Sequence, residues 1–585
     1  MPAAAADPAW IWTSVAIEGG GLNSTVLAHP AVPDLIYARQ DTAGVLRWDA
    51  KRQCWVSLMD WMPARFGSRS CHAIAVDPAP GSDERRRGTI YASFGAYVNG
   101  TQENPEGNAL YRSFDYGATW TRIWDGARRQ GQWGVPILSF GGNLAERRQG
   151  EALAVDPANP DVLYVATLID GVYRSLNARA AKPVFTKLTN APTGFSKNDW
   201  EPTGVRVVWV DSRGGTVGTP PRSRLVFLGV ASKGSVTGGV WRSQDGGETF
   251  TRLEAGEAPT SCRQLAPGPQ AGTCYVAGEN GLFAFNGTVW RVLPGTAGKS
   301  FGSVDSHPAD RRRIVAAGDN KLWQSEDGGA TWRTGEWKLY DNPKRALGLE
   351  ARATNWLDTT FLQPAHGKLA FDPFQPKRLW CGDAFSIMRC EDRHAPTVRF
   401  EAVVRGYETT VPWALCSPPT GEARLFVAMA DVNGMRFTDP LVSPRRQLVD
   451  YLPEGEPRNR DAVICDIEAA PSDPQRIVVL RATQGGYSSA WPRLFLSRDN
   501  GLTYVTRTLP PPEGSAHPQS MGPGKVAISA TDPNHMVVVG FLRRPHYTTN
   551  AWSANCSWQP GTGIPWKLDD LNPIPSMLCA WRRTG

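Results

Sequence analysis

One eight-residue phrase is written four times along the chain: serine, aspartate, glycine, threonine and an aromatic residue at fixed spacing. It stands at 113–120 (SFDYGATW), 243–250 (SQDGGETF), 325–332 (SEDGGATW) and 497–504 (SRDNGLTY). Degenerate versions occur at Ser175-Leu176-Asn177 and at Glu391-Asp392. The residue types imply a tight hairpin. The aspartate accepts backbone and hydroxyl hydrogen bonds, the glycine supplies a positive φ, and the aromatic ring packs between sheets. These bonds are local to the hairpin, so Asp115, Asp245, Asp327 and Asp499 read as structural.

A second repeat punctuates the same chain. An Asp-Pro or His-Pro turn leads into a short apolar strand, as in HPAVPDLIYAR, DPANPDVLYVATL, DPFQPKRLWCGD, DPQRIVVL and DPNHMVVVG. Roughly ten such strands are recognisable, and helical periodicity is nearly absent. The phrase resembles the Asp-box of β-propellers, and the fold class is all-β: a seven-bladed N-terminal propeller followed by a second. At 585 residues two or more domains are expected. The boundary is expected between the DPF copy and Gly406, giving residues 1–385 and 386–585. About seven blade-starts precede it and about three follow, so the second ring reads as incomplete.

Chemistry is carried by two acids presented alike. The strand Leu35-Ile36-Tyr37-Ala38-Arg39 delivers Asp41 into the turn Thr42-Ala43-Gly44, and Val45-Leu46-Arg47-Trp48-Asp49 leads away. Leu425 to Ala430 deliver Asp431 into Val432-Asn433-Gly434 in the same manner. Glycoside hydrolysis uses two carboxyl groups, one protonating the leaving oxygen and one activating water or attacking directly. An acid after a strand is also an ordinary turn cap, and the residues alone leave both readings open.

From Trp10 to about Pro560 the sequence resembles glycoside hydrolase family 74, the xyloglucan-cleaving β-glucanases with two propellers. The matching segments begin with Gly19-Gly20-Gly21, LIYARQDTAGVLRWD, and Trp55 with Leu58-Met59-Asp60-Trp61. Next come Gly141-Gly142-Asn143 with Gly150-Glu151 and AVDPANP. The last are Gly406-Tyr407-Glu408-Thr409-Thr410, Ser417-Pro418-Pro419 and DVNGMRF. The resemblance implies an inverting endo- or exo-acting β-1,4-glucanase with Asp41 as general base and Asp431 as general acid. An inverting pair stands about 6.5–9.5 Å apart, and the acid needs a raised pKa, from burial or from a neighbour such as Asp439. The sequence departs from the family at Ala43 and Asn433, where glycines are usual, and at Gln363-Pro364-Ala365-His366-Gly367, where the family is rich in tryptophan. Candidate substrate contacts are Tyr97, Asn143, Trp48, Trp133, Trp356 and Arg436, with core packing the competing role for the tryptophans.

The resemblance implies a polysaccharide substrate, no metal or cofactor, no nucleic-acid or membrane partner, a monomer, and a secreted or periplasmic location. No signal peptide is visible in MPAAAADPAWIW. A formal charge of +7 is small for this length, and the runs Arg85-Arg86-Arg87 and Arg311-Arg312-Arg313 lie beside turn signals and read as solvated loop. The ten cysteines form no CxxC pair; Cys262 and Cys274 could bridge if their strands adjoin. His29, His72, His307 and His366 are isolated and read as structural. The alternative function is a non-catalytic Asp-box propeller, a single large ring binding glycans or proteins; it would not need the paired design at Asp41 and Asp431. A sialidase reading lacks the early Arg-Ile-Pro phrase.

Overall fold

The computed structural model describes residues 13–560. The exceptions are 63–68, 79–82, 97–107, 127, 131–135, 145–146, 148–149, 169–170, 194–202, 234–235, 320, 337–348, 353–355, 360–367, 431, 455–461, 484–492, 510–523, 540–544 and 554. The chain divides by contacts into two units: Gly21–Thr409, and Met1–Gly20 with Thr410–Gly585.

Among the described residues of the unit Gly21–Thr409, seven sheets of four or more strands follow one another, at 23–57, 71–124, 153–187, 207–252, 264–292, 301–336 and 349–402, with a two-stranded hairpin of Arg128–Gln130 and Pro136–Leu138 between the second and third. The first six have four strands in chain order; the seventh has a fifth, Leu349–Arg352, parallel to Val398–Ala402. The second strands are largely buried, wholly so in Ile90–Phe94, because each sheet is covered on both faces. That explains why they read as unbroken apolar runs and not as alternating ones. First strands of successive sheets pack together, and Leu369–Phe371 of the seventh packs against Asn23–Ala28 of the first. The amide of Asn23 donates to the Asp383 carbonyl at 3.1 Å and that of Lys368 to the Ser24 carbonyl at 3.2 Å. The ring is thus closed, a seven-bladed propeller, and no edge strand is left at this seam. The boundary expected after residue 385 falls inside the seventh sheet, between Leu379–Gly382 and Ile387–Cys390, which pair.

The four boxes share one geometry. In the first, Asp115 Oδ1 accepts from the Thr119 amide at 2.8 Å and from Ser113 Oγ at 2.7 Å, while Oδ2 accepts from Thr119 Oγ1 at 2.6 Å. Gly117 sits at φ +88° and donates its amide to Ser113 Oγ. Hydrogen bonds from Thr331 and Ser325 hold the equivalent Asp327 carboxyl down near 2. Asn177 fills the same role in the third sheet, accepting from Ser175 Oγ and the Val184 amide. A version not recognised in the sequence stands at Thr548 and Asn550. The Asp-Pro and His-Pro turns also have one mechanism, since Asp156 and His307 each accept from the amide two residues on.

Blades are tied by an arginine just before the box. Arg112 donates to the carbonyls of Ala178 and Ala180 in the next blade, Arg174 to Gly246, and Arg242 to Gly287. Arg47 does the same for Tyr116, and Arg389 crosses the closing seam to Gln53. Around that seam Trp48, Trp55 and Trp380 form an aromatic cluster.

The other unit holds three sheets among the described residues, at 412–437, 462–508 and 525–560. Residues 13–20 belong to it: Ala16 donates its amide to Pro440, and Ser443 Oγ donates to the Ile17 carbonyl.

Cys262 and Cys274 are free, buried thiols pushed up by that burial. Arg85–Arg87 lie in one helical turn, Glu84–Arg87, capped by Asp83; Arg85 is exposed, and Arg86 is half-buried and pairs with the buried Asp77 at 2.8 Å. Among the described residues no helix is long and apolar enough to cross a membrane.

Candidate active site

Asp41 stands at the end of the buried strand Ile36–Gln40. Its turn is closed by the Gln40 amide donating to the Gly44 carbonyl at 2.8 Å. Gly44 lies at φ +88°, and a Cβ there would come within 2.6 Å of Met59 Cγ. The small residue in this turn therefore serves packing against Met59. The Asp41 amide donates to the Leu22 carbonyl at 3.3 Å, which anchors the acid to the segment following the triple glycine.

That segment is wedged in turn by the end of the unit. Tyr407 is fully buried, and its hydroxyl donates to the Gly21 carbonyl at 2.8 Å. Burial pushes the Tyr407 phenol well above its ordinary range, and the charge of Asp41 adds to the effect. Gly21 takes φ +70°, and a Cβ on it would meet the Thr409 carbonyl oxygen at 2.5 Å. The paired sequence signals GGG and GYETT are thus two sides of one contact supporting Asp41.

The carboxylate itself is nearly covered, with 8% of its side chain exposed, and Arg147 Nε stands 3.1 Å from Oδ2. Beneath it lies a second ion pair. Arg39 is wholly buried and donates to Glu151 Oε1 at 3.2 Å, to Thr25 Oγ1 at 3.0 Å and to the Cys71 carbonyl at 3.3 Å. Glu151 Oε2 accepts from the Ile74 amide at 2.8 Å, so three blades meet on one buried pair. His72, also fully buried, accepts the Gly141 amide at Nδ1, and burial together with Arg206 and Arg39 keeps it neutral. Its reading as structural holds, as does that of His29 and His307, whose Nδ1 atoms accept backbone amides.

The remaining candidates part company. Asn143 is half-buried and donates its amide to the Ala96 carbonyl at 3.0 Å, beside the Gly142 amide on Gly95. Trp48 is 6% exposed, within 5.2 Å of Trp55 and 5.8 Å of Trp380 by ring centroids, and its face carries Arg389. Trp356 opens the turn Trp356–Thr359 and is fully buried. Both tryptophans are packing residues, because neither has a face to offer a sugar. Arg436 is equally committed: Nε donates to the Asn500 carbonyl at 3.0 Å and the guanidinium pairs with Glu422 at 3.0 Å. Tyr97, Trp133, His366 and Asp431 lie outside the described residues. Next to Asp431, Asn433 takes the left-handed φ of +56° that a glycine would supply, which reconciles it with the glycine usual there. Asp439 caps an exposed turn through the Leu441 amide.

Sequence reasoning assigned no role to Arg147 or to the Arg39–Glu151 pair. For Arg39 there was a signal: an arginine inside a fully buried strand requires a buried acid. Arg147 had none, since GGNLAERRQGE reads as an ordinary polar loop.

No family model matches the chain. A xyloglucanase from a Paenibacillus species is 27% identical over 98% of this chain and 56% of its own length. Xyloglucanase Xgh74A of Acetivibrio thermocellus is 27% identical over 92% of this chain and 65% of its own length. The chain therefore spans between about half and two thirds of these relatives. Among solved structures, the GH74 xyloglucanase of Xanthomonas campestris superposes with a TM-score of 0.73 at 26% identity, covering 95% of this chain and 76% of the other. A GH74 enzyme of Niastella koreensis shares the fold, with a TM-score of 0.71 at 23% identity over 94% of this chain and 73% of the other. In sequence and in fold this chain is xyloglucanase-like, similar to glycoside hydrolase family 74.

Proposed function

We propose that this protein is an inverting glycoside hydrolase that cleaves the β-1,4-glucan backbone of xyloglucan or a related polysaccharide, outside the cytoplasm where such polymers occur. The observation that supports this best is Asp41: a nearly covered carboxylate at the position of the family's base, propped by Leu22 and paired with a cation. In the reaction Asp41 takes a proton from water as the water oxygen bonds to the anomeric carbon. The glycosidic bond breaks, and the departing oxygen receives its proton from Asp431. The reading of xyloglucan follows from the relatives named above, three of which are named as xyloglucanases.

The test is hydrolysis of xyloglucan by the protein and by Asp41→Asn and Asp431→Asn, followed by reducing-end release. Removing either group lowers kcat by about 10²-fold or more. Proton NMR of the first product formed reports α-configuration at the new reducing end. Parental rates in the folded Asp41→Asn variant, or a β-configured first product, would overturn the assignment.

A further inference from the structure

We infer that Arg147 is a positioning residue for Asp41, a cation built into one blade to hold the base of another. The inference rests on the hydrolase reading above. Its basis is the way Arg147 is fixed. The loop that bears it is pinned at both ends: Gly142 and Asn143 donate to the carbonyls of Gly95 and Ala96, and Gly150 donates to that of Arg263. Gly141 adds a bond to His72 Nδ1 at 3.3 Å.

The guanidinium is then set by its own loop. The Arg147 amide donates to the Leu144 carbonyl at 3.0 Å, and Nη1 donates to the same oxygen at 3.0 Å. Its Nε lies 3.1 Å from Asp41 Oδ2, an ion pair in which the Nε–H itself makes no hydrogen bond among the described residues. The guanidinium is thus tied to its own loop as well as to the carboxylate, a contact that favours pre-organisation. The side chain is 24% exposed against 8% for Asp41, so the pair sits at the border of solvent, where water can be delivered to the acid.

Two consequences follow for turnover. A base must be ionised before it can take a proton from water, and an ion pair with a nearby guanidinium favours the carboxylate form. Once Asp41 has taken the proton, the attraction to Arg147 is lost, and restoring it favours release of the proton to solvent. Arg39 does not share this task. Its Nε is spent on Glu151, and its other donors reach Thr25, Cys71 and Gly150.

The experiment compares Arg147→Met and Arg147→Lys with the parent on xyloglucan, beside a double-mutant cycle of Arg147→Met with Asp41→Asn in urea unfolding. Arg147→Met is expected to lower kcat about 10- to 100-fold with KM within about twofold. Arg147→Lys should recover most of the loss, because it restores the cation. In the cycle, the unfolding constants should couple by about tenfold. Parental kcat in Arg147→Met, a loss confined to KM, or an Arg147→Lys variant no better than Arg147→Met would overturn the inference. If Arg147→Met does not fold, the Lys variant carries the kinetic test, and full activity with Gln at 147 would likewise overturn it. A parent that cleaves no β-glucan refutes the hydrolase reading and with it the kinetic role. The coupling then still decides the ion pair: additive single variants mean that it does not form in solution.

Discussion

Replacing Trp380 by alanine tests how the seven-bladed ring is locked. Trp380 is 1% exposed at the seam between the seventh and first blades, with ring centroids of Trp48 and Trp55 at 5.8 and 6.1 Å. Arg389 lies 5.4 Å from its ring. Truncating a buried tryptophan costs about 3–5 kcal/mol. Two edge-to-face pairs at about 0.5–1.5 kcal/mol each and a cation–π contact near 0.5–1 kcal/mol place this site at the upper end of that range. Trp380→Phe should cost only about 1 kcal/mol, since it keeps a ring and removes an indole N–H with no partner among the described residues. The assay is the urea midpoint by far-UV circular dichroism, with hydrogen exchange followed at Asn23–Ala28 and Leu369–Phe371. Faster exchange should begin at those two strands. An alanine variant losing less than about 1 kcal/mol, or one that opens first at a mid-ring seam, would refute the argument that aromatic packing closes the ring.

Acid should weaken the protein through His29, which burial holds near 4, with Asp77 opposing. The unfolded chain takes up this proton first, so stability falls as pH drops from about 6.5 through 4, by about 3 kcal/mol in all. His29→Gln should flatten that part of the Tm against pH curve, and an unchanged curve would contradict the assignment. Gly21→Ala forces a side chain into φ +70° and against the Thr409 carbonyl, and should cost at least about 1–3 kcal/mol in the urea midpoint. A neutral outcome would mean that the contact supporting Asp41 is loose. Arg436→Met strands the Asn500 carbonyl, while the exposed Glu422 stays solvated, so it should lower stability by about 1–2 kcal/mol and leave KM unchanged. A raised KM at parental stability would restore Arg436 as a substrate contact.

The sequence by itself determined the blade. The Ser-x-Asp-x-Gly-x-Thr phrase closes its bonds within eight residues, and the Asp-Pro and His-Pro turns close theirs within three, so local spacing sufficed to read them. Asp41 was legible for the same reason, as a strand-end acid in a recognisable phrase. What tertiary structure alone decided lies between blades. Trp48 and Arg436 were candidates for a sugar because sequence cannot say which face of a strand meets the next sheet; the neighbouring blade covers both residues. The arginine before the boxes at 113 and 243, and before the degenerate copy at 175, was unread because its partner carbonyl lies on the following blade, tens of residues away. The end of the first unit, at Thr409 and not near residue 385, was set by sheet pairing across the closing seam and by Tyr407 reaching Gly21. Arg147 is the extreme case. Nothing in its loop marks it, and its meaning comes from a ring that brings it, from the segment before the third blade, to a carboxylate in the first.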